Sequence, residues 1–233
     1  MRILTIDEDA LFTASFLALK EFPRIRSIED YRDLGFCRKE WRKFYDRYEN
    51  DFQVKLRKEL GILYFKVNNS YLPDRICRVD YHDEVISVIK SHIQPNDTKL
   101  TVFNVDQHHD QFVGHSINTD CSNWASPQII SREFPNIEEY NYVWYSTELS
   151  EDKSLVREFP PVSLQLYSGR EFHFEDLFSY NFSYNQPNPW LADLVVFCKS
   201  RAYVPSNFWD VLDGLYKIAQ GGQVVQGGYR ELK

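Results

Sequence analysis

The chain of 233 residues has no apolar run near the roughly 20 residues that a membrane span needs, so no transmembrane helix is expected. It has no surplus of positive charge. Its 27 Lys and Arg stand against 34 Asp and Glu, a net charge of −7, which argues against a general nucleic-acid binder. Cysteine is scarce: Cys37, Cys77, Cys121 and Cys198 are scattered with no CxxC pair. That excludes a zinc knuckle or disulfide frame of the usual spacing and suits reduced thiols in a cytosolic protein. Asp7, Glu8 and Asp9 interrupt any hydrophobic region near the start, so a signal peptide is not expected and a cytoplasmic location is. GxGxxG and Walker-type P-loop patterns are missing, and with them the common nucleotide-binding fingerprints. There is no internal repeat, low-complexity stretch or convincing linker, so residues 1–233 are expected to form one domain.

What is present is a hydrophobic fraction of 43%, a charged fraction of 26% and an aromatic fraction of 16%. The first two are ordinary for a soluble globular protein. The aromatics fit either a core of large side chains or a binding surface with aromatic anchors. Residues 2–6 read as a short buried strand, and 10–60 as mostly helical and charged, with Leu56 and Leu60 at helical spacing. Residues 62–67 read as a strand, with Asn68-Asn69-Ser70 and Pro73 marking a loop. Residues 83–93 read as an amphipathic helix burying Val85, Ile86, Ile89 and Ile93, with His82 at its start. The clearest central strand is 100–105. Further strands are expected at 142–146, 162–167 and 194–198, and helices near 125–133 and 206–219. This alternation predicts an α/β fold with a largely parallel sheet. The glycine-rich tail, 221–233, is expected to be mobile.

The strongest chemical signal is Asp106-Gln107-His108-His109-Asp110, directly after strand 100–105. Active sites of open α/β sheets lie beyond the carboxyl ends of their strands. Alternate residues of an extended segment point the same way, so Asp106, His108 and Asp110 can converge on one metal. Carboxylates with a few imidazoles suit manganese, and also iron or zinc. A solvated acidic loop is the other reading of this motif. The second signal is Thr5-Ile6-Asp7-Glu8-Asp9, again at the end of an apolar strand. Asp7 and Asp9 have the spacing that turns both carboxylates to one side, although a helix N-terminus also favours acids. Carboxylates held together need a cation to offset their repulsion. His82, in Asp80-Tyr81-His82-Asp83-Glu84-Val85, is a third candidate ligand.

Together these segments resemble the ureohydrolase superfamily, the arginase and agmatinase group, in which an Asp-x-His-x-Asp motif, an Asp-x-Asp motif and an upstream His surround two manganese ions. His82 precedes Asp106 by 24 residues, close to that family's spacing, and Thr-Ile-Asp-Glu-Asp-Ala-Leu is similar to its Ser-x-Asp-x-Asp-Ala-Leu segment. In ordinary arginases the Asp-x-Asp strand follows the Asp-x-His-x-Asp strand, whereas here it comes first. That order, the short length, the His-Asp-Glu-Val-Ile segment and Asn123-Trp124 resemble the permuted, arginase-like family that includes the peptide arginases. The resemblance covers residues 1–12 and 78–125.

The resemblance implies a three-layer, arginase/deacetylase-like fold, with 13–60 as a helical insertion. It further implies two Mn2+ ions and hydrolysis of arginine side chains in a ribosomally made precursor peptide, giving ornithine residues and urea. Asp7 and Asp106 would bridge the ions, His82 and Asp110 would complete one shell, and His108 and Asp9 the other. Asp110 would also orient the attacking water. A leaving amine needs a proton; His115 is the first candidate to deliver it and His109 the second. Glu84 is the candidate carboxylate for the guanidinium, and Asn123 and Trp124 would line the substrate entrance, unless Trp124 is a buried structural residue. The expected partner is the precursor peptide with its leader segment, with neither nucleic acid nor membrane; the oligomeric state is left open. Three alternatives stand beside this reading: a small guanidino substrate such as free arginine or agmatine, a single-zinc deacetylase, and a non-catalytic peptide-binding module.

Overall fold

Five short segments rich in β-branched, aliphatic and aromatic residues become the strands of one sheet. The computed structural model describes residues 1–13, 23, 25, 28–48, 54–56, 60–106, 108, 110, 111, 118–145 and 192–221. The strands are β1 (Arg2–Asp7), β4 (Ile76–Val79), β5 (Lys99–Val105), β6 (Glu139–Tyr145) and β7 (Leu194–Cys198), in the order β4-β7-β1-β5-β6. Every neighbouring pair is parallel. Two short strands, β2 (Phe12–Thr13) and β3 (Lys55–Leu56), form a separate antiparallel pair. Leu56 therefore belongs to a strand, and only Leu60 belongs to a helix.

The period of two along each strand divides the core into two layers. Leu4, Ile6, Phe103, Val105, Val195 and Phe197 face one way. They meet α2 (Leu34–Tyr48), α3 (Leu60–Ser70) and α6 (Trp209–Ala219). Ile3, Leu100, Val102, Leu194 and Val196 face the other way, toward α4 (Val85–His92) and α5 (Pro127–Glu133). The result is a three-layer α/β architecture with a parallel central sheet, buried on both faces as parallel sheets are. A small helix, α1 (Ile28–Arg32), precedes α2. Helix α2 buries Cys37, Trp41 and Phe44 along one stripe, and Trp41 Nε1 donates to the Ala202 carbonyl at 3.2 Å. Helix α5 starts where its sequence says it should: Ser126 caps it by accepting from the Ile129 N–H, and Pro127 fills its first turn.

The expected strand at 62–67 is instead part of α3. Its β-prone run hides a helical stripe, since Leu60, Leu63, Tyr64 and Val67 are buried at spacings of three and four. Asn68 to Ser70, read as a loop, form its last turn. There Asn68 donates to the Ile218 carbonyl at 2.5 Å and Asn69 back to Phe65 at 2.6 Å. The helix of 83–93 is a short 3-10 turn, His82–Glu84, running into α4. It buries Val85, Ile86 and Ile89, while Ile93 is only partly covered. The expected strand at 162–167 and the tail beyond Gly221 lie outside the described residues. No described helix is long and apolar enough to cross a membrane.

Candidate metal centre

Strand register assembles the site. Thr5 pairs with Asn104 and Ile6 with Val105, so Asp7 and Asp106 come next to each other where β1 and β5 end. On the other side of β1, Asp7 pairs with Cys198 at the end of β7. Asp7, Asp106 and Cys198 therefore share one level and one face at the carboxyl edge of the sheet. His82 arrives from the turn after β4, and Asp110 from the segment after β5.

His82 is 1% exposed. Its Nδ1 lies 3.1 Å from Asp7 Oδ2, 3.1 Å from Asp106 Oδ2 and 2.8 Å from Asp110 Oδ2. One ring N–H cannot make three good hydrogen bonds at once. Two donors at right angles on an ion about 2.1 Å away stand about 3.0 Å apart, which is the spacing here. His108 Nδ1 lies 3.3 Å from Asp9 Oδ2 and 3.6 Å from Asp106 Oδ1. Asp7, Asp9, Asp106 and Asp110 are all buried, whereas the His108 side chain is 57% exposed. The cluster thus meets solvent at His108, whose ring sits 5.5 Å from that of Tyr203.

Three groups of donors could each hold a metal ion: Asp9, Asp106 and His108; His82, Asp106 and Asp110; and Asp7, His82 and Cys198, each with its donor atoms within 4.8 Å of one another. Asp106 belongs to two of these groups and His82 to two. The six residues expected from the sequence are therefore brought together, with Cys198 as an addition. The donor set fits a divalent cation: four carboxylates outnumber two imidazoles, and a cation between them would offset the repulsion of buried like charges.

The electrostatics express that crowding. Burial, with Asp106 close by, pushes the Asp110 carboxyl up to about 8. Burial, with Asp7 and Asp106, pushes Asp9 well up. Burial works against ionisation of Asp106 too, but hydrogen bonding from His108 and His82 outweighs it and holds this carboxyl below the usual range. His82 is held well above an ordinary imidazole despite its burial, chiefly by the Asp110 carboxylate.

A shell of donors orients the carboxylates. Ser200 Oγ donates to Asp7 Oδ2 at 2.5 Å, and the Asp9 N–H donates to Asp7 Oδ1 at 2.9 Å. The His108 N–H donates to Asp106 Oδ1 at 2.8 Å, and Asn104 Nδ2 donates to Asp106 Oδ2 at 3.2 Å and to Tyr142 Oη at 2.9 Å. Trp124 Nε1 donates to Asp110 Oδ2 at 2.7 Å. Among the described residues the only non-glycine residues with positive φ are Asp110, at 50°, and Ser200, at 39°. Both belong to this site, where backbone strain tends to collect.

Trp124 is fully buried, with its ring 4.9 Å from that of His82. It positions Asp110 and packs on a candidate ligand instead of lining an entrance. Asn123 is also buried; it accepts from the Asp120 N–H at 2.9 Å and donates to the Asn118 carbonyl at 3.0 Å, so its amide holds the turn before α5. Glu84 accepts from the backbone N–H groups of Asp80 and Tyr81 at 2.9 and 3.2 Å. Its carboxylate closes the capping box at the start of the His82 turn. His115 and His109 lie outside the described residues.

Sequence reasoning overlooked Thr5, Asn104, Cys198 and Ser200. The first two carried a readable signal: each is a polar residue inside an apolar strand, two positions before a candidate ligand Asp and on the same face. Comparison with known proteins found no matching family model, no matching curated protein and no matching solved structure.

Proposed function

We propose that this protein is a metal-dependent hydrolase that cleaves arginine side-chain guanidinium groups in a ribosomally made peptide, leaving ornithine residues and urea. One observation carries the hydrolase part: four buried carboxylates and two imidazoles meet at the carboxyl edge of one parallel sheet, with a single imidazole nitrogen 2.8–3.1 Å from three of the carboxylates. The guanidine part rests on the resemblance of these motifs, and of their order, to the peptide arginases. Two ions are expected, Mn2+ by that resemblance. His82, Asp110, Asp106 and Asp7 would hold one; His108, Asp9, Asp106 and Asp7 would hold the other. Membership of Asp106 in two of the three donor groups supports a bridging role.

Bound divalent ions supply Lewis acidity and bring the pKa of a water toward neutrality. The chain's own residues do the rest. Asp110, fixed by Trp124 Nε1, accepts a hydrogen bond from the attacking water and aims it at the guanidinium carbon. The group to be cleaved is itself a planar cation. The substrate enters on the exposed side, beside His108 and Tyr203, where the phenol ring offers a face to a planar cation.

The test is to incubate metal-loaded protein with an arginine-containing peptide and, in parallel, with free arginine, following urea and peptide mass. The expected result is a loss of about 42 Da per reacting arginine on the peptide, abolished by Asp106→Ala. Comparable turnover of free arginine would move the substrate to a small guanidino compound. Metal-loaded protein that releases urea from neither substrate would sink the guanidine assignment and leave the metal centre standing.

A further inference from the structure

We propose that the metal centre has a sulfur edge: Cys198, with Asp7 and His82, supplies a donor position that takes a borderline ion of the zinc, cobalt or iron class. This rests on reading the carboxylate and imidazole cluster as a metal centre, and departs from that reading in making the two positions chemically unequal. Cys198 is fully buried, and a buried free thiol is ordinarily a small hydrophobe. Its place in the sheet argues otherwise. On the face toward α4 and α5, β1 runs Ile3, Thr5, Asp7; β5 runs Val102, Asn104, Asp106; and β7 runs Leu194, Val196, Cys198. Three adjacent strands thus each turn from apolar to donor residue at the carboxyl edge, and Cys198 stands in register with Asp7.

The sulfur closes the apolar layer on this face and meets polar atoms beyond it. Cys198 Sγ lies 3.2 Å from Ser200 Oγ, which in turn donates to Asp7 Oδ2 at 2.5 Å. The donor atoms of Cys198, Asp7 and His82 lie within 4.8 Å of one another. His82 also has a second ring nitrogen, Nε2, that is buried without a hydrogen-bond partner among the described residues. Buried polar atoms are rarely left so, and a ring nitrogen that no protein group claims is a ligating atom in reserve. Sulfur changes which ion is held. Carboxylate and imidazole donors alone suit manganese, whereas a thiolate favours softer, later ions. The other donor group, Asp9, Asp106 and His108, contains no sulfur and keeps the hard character.

Cobalt(II) tests this directly, because its spectrum reports sulfur separately from oxygen and nitrogen. Metal-free full-length protein is titrated with Co2+ and its absorption followed. The expected spectrum has visible ligand-field bands together with a near-ultraviolet sulfur-to-cobalt charge-transfer band. Cys198→Ser should lose the near-ultraviolet band and keep the visible ones; Cys121→Ser should keep both. The wild-type spectrum decides even if Cys198→Ser folds poorly. Visible bands without the sulfur band would overturn the proposal and leave the metal centre intact, as would a sulfur band that survives in Cys198→Ser. No cobalt binding at all would remove the metal centre and this proposal together.

Discussion

The turn Asp7-Glu8-Asp9 separates two largely buried ionic clusters on opposite faces of one sheet, and they are built on opposite plans. On the α4/α5 face, Asp7, Asp106 and Asp110 crowd around His82, and acids exceed bases. On the α3/α6 face, Glu8 is fully buried against Arg78 Nη2. Arg78 Nη1 reaches Asp213 at 2.6 Å, and Arg201 Nη2 reaches the same oxygen at 2.5 Å, with Arg201 Nη1 3.8 Å from Glu8. The two guanidinium groups lie 5.0 Å and 5.1 Å from the ring centroids of Tyr216 and Trp209. Two cations against two anions balance in charge, although Glu8 Oε2, Arg78 Nε and Arg201 Nη1 have no hydrogen-bond partner among the described residues. The balanced cluster ties β1, β4 and α6 together; the unbalanced one keeps an acid excess that protons or a divalent cation would offset. Position along three consecutive residues, alternating between faces, decides which carboxylate does which work.

Substitution on the two faces should therefore give opposite signs, and this is the largest effect expected. Arg78→Met leaves Glu8 buried with only a distant Arg201 for a partner. Breaking one side of a buried ion pair costs about 3–5 kcal/mol, a large part of a total of about 5–15 kcal/mol. The urea midpoint should fall steeply, with or without metal. Asp9→Asn, one residue from Glu8, removes a charge from the acid-rich side. In metal-free protein it should be neutral or stabilising, while metal binding is lost. If Asp9→Asn weakens metal-free protein as much as Arg78→Met, the two clusters do not differ in charge balance.

Next in size is the pH dependence of the metal effect. Asp9 and Asp110 have raised values in the folded chain, Asp110 up to about 8, against about 3.9 in the unfolded chain. Between about pH 4 and 8 the folded, metal-free protein therefore binds more protons than the unfolded one, and stability falls as pH rises. His82 acts in the same direction: its contribution is complete below about pH 6.5 and is lost as pH climbs through its raised folded value. Asp106, held low, contributes above its unfolded value and loses that contribution only on acidification. A bound cation replaces those protons and flattens the fall. Glu8, which burial pushes up to about 7 against the pull of Arg78 and Arg201, should keep a residual slope in both metal states. At a hundredfold excess over Kd the metal adds about 2.7 kcal/mol, or about 5–10 °C in Tm for a chain of this size. Thermal melts at pH 5 and pH 8 should show a larger metal-induced gain at pH 8; an equal gain would mean the acid excess is not what the cation relieves.

Much of the unbalanced cluster was legible in the sequence, because an acidic or imidazole residue directly after an apolar run stands out locally. Asp7 closes β1, and Asp106 and His108 follow β5 within three residues. The balanced cluster was not legible. Arg78 and Arg201 look like ordinary surface cations, and only the pairing of β4 with β7, across more than a hundred residues, brings them to Glu8. Helix α3 was misread because Ile-Leu-Tyr-Phe-Lys-Val is as β-prone as it is apolar; the period of its burial, set by packing on α6, overrode propensity. Glu84 caps a turn where the sequence suggests a guanidinium carboxylate, and Trp124 takes the buried structural place that the sequence left open beside an entrance role. A capping carboxylate and an indole N–H aimed at Asp110 are facts of backbone conformation, which here includes a left-handed Asp110.

The smallest expected effect isolates orientation from charge. Ser200→Ala keeps every charge in both clusters and removes only the hydroxyl that donates to Asp7 Oδ2. Metal-free protein should lose about 1 kcal/mol, as for one hydrogen bond. If Ser200 holds Asp7 in its ligating orientation, metal affinity should also fall about tenfold, the low end for groups that orient a metal ligand, equivalent to about 1.4 kcal/mol. Titration calorimetry with Mn2+ reads the second effect apart from the first. Arg78→Lys is the matched change on the other face: it keeps the charge, disturbs the guanidinium geometry, and should alter stability while leaving metal affinity near wild type. Equal affinities in Ser200→Ala and wild type would assign Ser200 to the packing of the β7 end; a drop in Arg78→Lys as large as in Ser200→Ala would show that the two faces are coupled through the turn they share.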